Sequence, residues 1–244
     1  MTEMYTLKNS FADHIIWDGP VYELESNQIH VFDIRISMYL QRLDEFISLL
    51  SPDEIARANR YFQQKDRERF RISRGMQRII LGKYLNLPAC SLQFKLDNHK
   101  KPFLLNDTSE IYYNLSHAAD VILLVISTAP IGVDVEYINP DFPYQEVIKD
   151  HFTQEEISHI NEMNSSERFF KLWTRKEAFL KATGQGIGDD LKLYPTLDGE
   201  HILQKNVVSN SQNWQQLSFK LDENYISSIT SCAGKISYCF SKPD

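Results

Sequence analysis

The segment PIGVDVEYI, residues 130–138, reads as a strand carrying two carboxylates. Strand side chains alternate, so Asp134 and Glu136 share one face while Val133, Val135 and Tyr137 share the other. Like charges side by side repel and resist burial, so either that face is solvated or a cation compensates it. Further along, FFKLWTRKEAFLKATGQGIG sets Glu177 and Lys181 at i and i+4 on one helix face, with Trp173 a turn earlier. Taken alone, the first pair reads as ordinary surface acids and the second as a helix salt bridge. Taken together, three carboxylates from a strand and a helix form the hard oxygen set that magnesium prefers, leaving positions for water and substrate phosphates. Lys181 could then neutralise a phosphate oxygen. Trp173 reads as core packing.

Other segments point toward an anionic ligand. YYNLSHA puts Ser116 and His117 at a strand end. No strained G-x-S-x-G elbow surrounds Ser116, so a phosphate-binding hydroxyl and imidazole fit better than a catalytic triad. NHKKPFLL offers Lys100 and Lys101 ahead of Pro102, and a long basic helix offers Arg69, Arg71, Arg74 and Arg78. Arg74 and Arg78 share a face of that helix. In an acidic chain, such local cations suggest a small polyanion. GQGIG, residues 184–188, follows a helix instead of opening one, which makes it a helix terminator before a phosphate loop.

The elements that must position these residues come in two similar sets. NQIHVFDI is a strand, Ser51 caps a helix with Pro52 at its first position, and DRERFRISRGMQRIILGKYL spaces Phe70, Met76, Ile80, Leu81 and Tyr84 as a second helix ending near residues 86–88. The order then recurs. Thr153 and Glu156 form a capping box, a helix containing SERFFKLW follows, and the string Glu-Arg-Phe occurs at Glu68 and again at Glu167. Residues 110–138 read as two or three strands divided by HAAD and TAPI, and QQLSFKL, NYISSITS and KISYCF read as strands of a closing sheet. The expected fold is α+β: two similar halves, 1–108 and 109–244, with a ligand favoured in the crevice between them.

Composition narrows the function classes. With 244 residues, 42% of them apolar, the chain can bury a substantial core. A net charge of −7 argues against non-specific nucleic-acid binding. No apolar run has the length of a membrane span and the first residues lack a signal pattern, so the expectation is a cytoplasmic protein that engages neither nucleic acid nor membrane. Cys90, Cys232 and Cys239 form no C-x-x-C and suggest neither a disulfide framework nor a zinc site.

In the order RFRISRGMQRIILGKYL, KKPFLL, YYNLSHA, IGVDVE and FFKLWTRKEAFLKATGQGI, the chain resembles the 4′-phosphopantetheinyl transferases of the surfactin-synthetase-activating type. The specific element is G-[IV]-D-[VI]-E followed by W-x-x-K-E-x-x-x-K. The resemblance implies a monomeric pseudo-dimer of α+β halves with coenzyme A and magnesium at their junction. It implies that Asp134, Glu136 and Glu177 ligate magnesium and that Lys181 contacts the coenzyme A phosphates. Ser116 and His117 correspond to a phosphate-contacting pair, Lys101 and Pro102 to the wall of the nucleotide pocket, and Arg74 to a phosphate-binding arginine. The family's usual glycine before Lys-Pro is Lys100 here. The implied reaction moves phosphopantetheine from coenzyme A to a serine of an acyl or peptidyl carrier protein, with Glu177, Lys181 and Asp134 as catalytic residues. Two other readings stay open on the residues alone. One is a magnesium-dependent nuclease, testable by plasmid nicking. The other is a non-catalytic module that binds coenzyme A or carrier protein, against which the intact Asp134, Glu136, Glu177 and Lys181 count.

Overall fold

The structure is a computed structural model that describes residues 5–96, 102–105, 111–185, 191–203, 212–232 and 236–243. The chain opens with β1 (Tyr5–Ala12), β2 (Trp17–Asp18) and β3 (Gln28–Arg35), followed by α1 (Ile36–Tyr39), α2 (Leu43–Leu49), α3 (Pro52–Asn59) and α4 (Gln64–Leu85). Next come β4 (Phe94–Leu96), β5 (Pro102–Leu104), β6 (Tyr112–Ala118), β7 (Val121–Ser127) and β8 (Ile131–Tyr137). The remainder is α5 (Tyr144–His151), α6 (Gln154–Ile160), α7 (Ser165–Thr183), β9 (Gly199–Leu203), β10 (Trp214–Asp222), β11 (Tyr225–Ser231) and β12 (Ser237–Ser241).

Two five-stranded sheets stack between two long helices. One sheet runs β2-β12-β3-β7-β6 and the other β8-β11-β10-β1-β9. Within them, β3-β7-β6 and β8-β11-β10 are equivalent antiparallel triplets, which is the architectural content of the repeat. Alternation on the buried strands explains the layering. Phe32, Ile34, Ile122, Leu124 and Ile126 pack against Ile72, Met76, Ile80 and Leu81 of α4. Their neighbours Val31, Val121, Leu123 and Val125 face the other sheet, where Val133, Val135 and Ile229 meet them. The far side of that sheet is covered by α7.

The halves trade their terminal strands. β1 pairs in parallel with β10, and β12 pairs in parallel with β3, so each end of the chain closes the sheet carried mainly by the other part. The sheet holding β3 also takes β6 and β7 from beyond the polar segment 105–110.

Helix ends follow their local chemistry. Ser51 and Thr153 both form complete capping boxes, with Glu54 and Glu156. α4 and α7 both end on a left-handed residue, Asn86 and Gly184, as the GQGIG segment suggests for its first glycine. Residues 186–188 of that segment lie outside the described residues. Arg78 and Lys176 each stand eight residues before those caps. Each is buried and tied to the capping-box glutamate of its half: Arg78 donates to Glu54 Oε2 at 2.7 Å, and Lys176 lies 3.3 Å from Glu156 Oε2. Each also donates to two carbonyls at a 3₁₀ turn, Ala89 and Leu92 in one half, Leu191 and Tyr194 in the other. The Glu-Arg-Phe strings are out of step with this register by one residue. Among the described residues the three cysteines are free, and no helix is long and apolar enough to cross a membrane.

Candidate active site

β6 and β8 are the adjoining edge strands of the two sheets, and the site forms where they meet under α7. Gly132 makes the approach possible. A Cβ at that position would stand 2.1 Å from the carbonyl oxygen of Ala178 and 2.4 Å from the amide nitrogen of Ala182, so only glycine lets β8 lie against the α7 backbone. On the same face of the strand, two residues on, comes Asp134. The backbone N–H of Val133 donates to Asn114 Oδ1 of β6 at 2.9 Å, and Ser227 Oγ donates to the Asp134 carbonyl at 2.6 Å, fixing β8 from both sides.

Asp134 is 4% exposed. Its Oδ1 accepts from Ser116 Oγ at 2.8 Å and from Lys181 Nζ at 2.6 Å, while Lys181 Nζ also donates to Ser116 Oγ at 3.2 Å. Three elements from both sheets and the covering helix thus converge on one carboxylate oxygen. The other oxygen, Oδ2, is buried and has no hydrogen-bond partner among the described residues, a costly state for a carboxylate unless a cation or donor meets it.

Glu136 and Glu177 complete the acidic face. Burial, and then the nearby charge of Asp134, push the Glu136 carboxyl up to about 7, with Lys181 and a hydrogen bond from Trp173 acting the other way. Burial and Asp134 also raise the Glu177 carboxyl above its usual range. The three acids are close enough to resist one another's ionisation, which a divalent cation would relieve. Their all-oxygen chemistry and the orphaned Asp134 Oδ2 fit magnesium. Among the described residues, however, no group of three or more acidic, histidine or cysteine side chains is drawn together as a ligand set.

A cationic cavity adjoins this cluster. Alternation along β6 sends Ser116 toward Asp134 and His117 toward α4, so neighbouring residues serve two compartments. His117 lines a cavity of about 200 Å³ with Arg57, Arg69, Phe70, Arg74 and Pro102. A second recess of about 470 Å³ shares Arg57, Phe70, Arg74 and Pro102 with it and extends toward Leu105. Desolvation, then the charges of Arg69 and Lys181, holds the His117 imidazole below its usual range. Phe70 carries two guanidinium groups, with Arg57 5.4 Å and Arg74 5.6 Å from its ring centre. Arg74 hydrogen-bonds the neutral Gln77 side chain at 2.8 Å. Burial, and the nearby Arg57 and Arg78, hold Arg74 below its ordinary value. Clustered arginines of this kind suit phosphate.

The sequence-derived set therefore falls into two adjoining groups: Asp134, Glu136, Glu177, Lys181 and Ser116 around β8, and Arg74, Pro102 and His117 around the cavity. Lys101 lies outside the described residues, as does Lys100. Lys181 turns across to Asp134 instead of serving only its own helix. Arg78, grouped with the ligand-facing cations by helix periodicity, is buried in its bracket with Glu54 at the wall of the second recess. Trp173 packs on Phe152 and Phe169 as expected, and in addition donates to Glu136. Periodicity did not single out Arg57, Asn114 or Gly132, and it read Phe70 only as one of the apolar positions of its helix. Only Gly132 left a signal, a glycine inside a strand otherwise made of Ile131, Val133 and Val135 alternating with acids.

The 4′-phosphopantetheinyl transferase superfamily model matches residues 130–230, and the model for the N-terminal region of a 4′-phosphopantetheinyl transferase matches residues 39–129. The 4′-phosphopantetheinyl transferase HetI of Nostoc sp. is 30% identical over 220 residues, covering 86% of this chain and 90% of the relative. The 4′-phosphopantetheinyl transferase Sfp of Bacillus subtilis is 25% identical over 147 residues, 59% of this chain and 64% of its own length. The L-aminoadipate-semialdehyde dehydrogenase-phosphopantetheinyl transferase of Rattus norvegicus is 25% identical over 158 residues, 59% of this chain and 51% of the relative. With both consecutive models matched and a relative of this identity covered almost end to end, the chain belongs to the 4′-phosphopantetheinyl transferase superfamily.

Proposed function

We propose that this protein transfers the 4′-phosphopantetheine arm of coenzyme A to a serine hydroxyl of an apo acyl or peptidyl carrier protein. The observation that carries the reading is the junction of β6, β8 and α7, where Ser116, Asp134 and Lys181 interlock beside a cavity rimmed by Arg57, Arg74 and His117. Acid cluster and cationic cavity side by side suit a reaction at a pyrophosphate whose nucleotide end is also phosphorylated.

In this reading the carrier serine oxygen attacks the β-phosphorus of coenzyme A. A new O–P bond forms, the P–O bond to adenosine 3′,5′-bisphosphate breaks, and the serine proton passes to the Glu177 carboxylate. Lys181 offsets the charge that builds on the leaving phosphate, and the His117 imidazole donates a hydrogen bond to it. Arg57, Arg74 and Pro102 hold the nucleotide end, with Lys101 assigned to the same wall. Most of the rate enhancement then comes from positioning and electrostatics. Asp134, Glu136 and Glu177 would hold magnesium, which supplies electrophilic activation and charge neutralisation at the pyrophosphate. We take the chain to act as a monomer, since both halves of the site lie within one chain, and to act in the cytoplasm.

The test is the intact mass of an apo carrier protein after incubation with this protein, coenzyme A and magnesium, beside a chelator control. A gain of one phosphopantetheine that disappears with chelator supports transferase and metal together. Absence of any gain across fatty-acid, polyketide and peptide carriers, while coenzyme A still binds, overturns the transfer reading.

A further inference from the structure

Phe62 is 96% exposed, the most exposed large apolar side chain among the described residues. It stands at the turn between α3 and α4. The turn is held in place: Arg67 Nη1 donates to the carbonyls of Tyr61 and Phe62 at 3.0 and 3.3 Å, and Arg71 Nη2 donates to Asn59 Oδ1 at 3.1 Å. Tyr61, the residue before, packs on Phe70 at 5.6 Å between ring centres and lines the cationic cavity. The turn thus sends one aromatic ring inward to the cavity and the next one out into solvent.

The surroundings of Phe62 are cationic in a chain of net charge −7. Arg60 and Lys65 are exposed and carry no ion pair among the described residues. Of the nearby carboxylates of the same segment, Asp66 is committed to Arg69 at 2.9 Å and Glu54 to Arg78 at 2.7 Å, while Glu68, one turn into α4, accepts from the Gln64 amide at 2.6 Å. An apolar anchor flanked in sequence by two exposed cations, Arg60 and Lys65, and held on a hydrogen-bonded turn has the character of a docking knob for an acidic surface with a small apolar pocket.

We infer that the α3–α4 turn, residues 59–65, docks the acceptor protein, with Phe62 as the buried anchor and Arg60 and Lys65 as its electrostatic rim. This rests on the transfer reading above, in which the acceptor is the protein partner that must bring its serine to the pyrophosphate, where this cavity adjoins the Asp134 cluster. The committed occupant is an acidic carrier domain. Nucleotide binding does not need Phe62, because that side chain points away from the cavity lining.

The experiment compares wild type with Phe62→Asp, Phe62→Ala and the pair Arg60→Glu/Lys65→Glu, using a fluorescently labelled apo carrier domain of net negative charge. Three readouts are taken: carrier binding without coenzyme A, steady-state transfer, and coenzyme A affinity. We expect Phe62→Asp to weaken carrier binding and lower kcat/KM for the carrier by roughly 10- to 100-fold, the scale of one lost aromatic anchor. Coenzyme A affinity and thermal midpoint stay at wild-type values. The charge-reversed pair lowers the association rate and flattens its salt dependence. Unchanged carrier binding and kcat/KM in Phe62→Asp overturns the docking surface while the transferase stands. A wild-type protein that neither binds nor modifies any carrier overturns the transfer reading and the docking surface with it.

Discussion

The ammonium of Lys181 stands 2.6 Å from Asp134 Oδ1, joining the covering helix α7 to the edge strand β8 across a carboxylate that is nearly sealed from solvent. The Asp134 side chain is 6% exposed and that of Lys181 29%. Removing the lysine leaves a buried carboxylate uncompensated, which costs on the order of 3–5 kcal/mol. We expect Lys181→Met to lower the thermal midpoint and to abolish transfer, and the double variant Asp134→Asn/Lys181→Met to recover most of the stability without activity. Asp134→Ala alone should cut turnover by about 10²–10³-fold, the scale of losing one preorganised electrostatic group. Denaturant unfolding together with carrier mass measurement separates the two effects. Near-normal transfer by Asp134→Ala would remove Asp134 from the mechanism.

Gly132 offers a test of the strand–helix contact itself. A Cβ there meets backbone atoms of Ala178 and Ala182, which cannot rotate away. Gly132→Ala should therefore push α7 off β8, separating Lys181 from Asp134, and reduce both stability and transfer. Gly199, with no heavy atom near its Cβ position but a φ of +117°, is the contrasting case, where alanine acts through backbone strain far from the site. A Gly132→Ala protein that keeps its midpoint and its activity would show that the helix can yield at that point.

Much of the site was legible because its periodicities are local. Alternation in residues 131–137 separates Asp134 and Glu136 from Val133 and Val135, and capping residues bound α3 and α6. What could not be read depends on contacts distant in sequence. β1 finds its parallel partner β10 more than two hundred residues away, at Trp214–Asp222, and β12 crosses back to β3. No local pattern encodes such pairings. Helix periodicity put Arg78 beside Arg74, yet only the fold shows that Glu54 and two carbonyls claim one of them and leave the other on the cavity. The i,i+4 relation of Glu177 and Lys181 likewise permits a surface salt bridge, but the buried carboxylate of Asp134 is the stronger attractor in a low-dielectric setting.

The paired brackets, Arg78 with Glu54 and Lys176 with Glu156, should behave as structural units. The Lys176 and Glu156 side chains are 0% and 2% exposed, and Glu156 also accepts from the backbone and hydroxyl of Thr196. Lys176→Met strands Glu156, so we expect a loss of about 3–5 kcal/mol, or on the order of 10 °C in Tm for a chain of this size. Lys176 is next to Glu177 in sequence but its ammonium is buried against Glu156 of α6 and the carbonyls of the 3₁₀ turn. Below the lowered Tm, KM for coenzyme A should stay at the wild-type value. A Lys176→Met protein of normal stability with a raised KM for coenzyme A would reassign Lys176 from fold to ligand.

The last expectation concerns acid. His30 on β3 is 1% exposed, with Nδ1 near the Val21 carbonyl at 3.1 Å and against the Tyr84 hydroxyl, and Nε2 3.1 Å from Gln28 Oε1. Burial holds its imidazole below the ordinary value, outweighing the Val21 carbonyl and Glu25, which act the other way. The unfolded chain therefore takes up a proton near pH 6.5 while the folded chain does not until lower pH. The contribution of His30 to stability is complete above about pH 6.5 and declines as pH falls toward its depressed folded value. Comparing the unfolding free energy of wild type and His30→Gln between pH 7.5 and 5.5 isolates that contribution from other titrating groups. The wild type should lose more stability over that interval than the variant does. Equal slopes would mean that the buried ring accepts its proton as readily folded as unfolded, and that the β3–α4 contact through Tyr84 tolerates a charge.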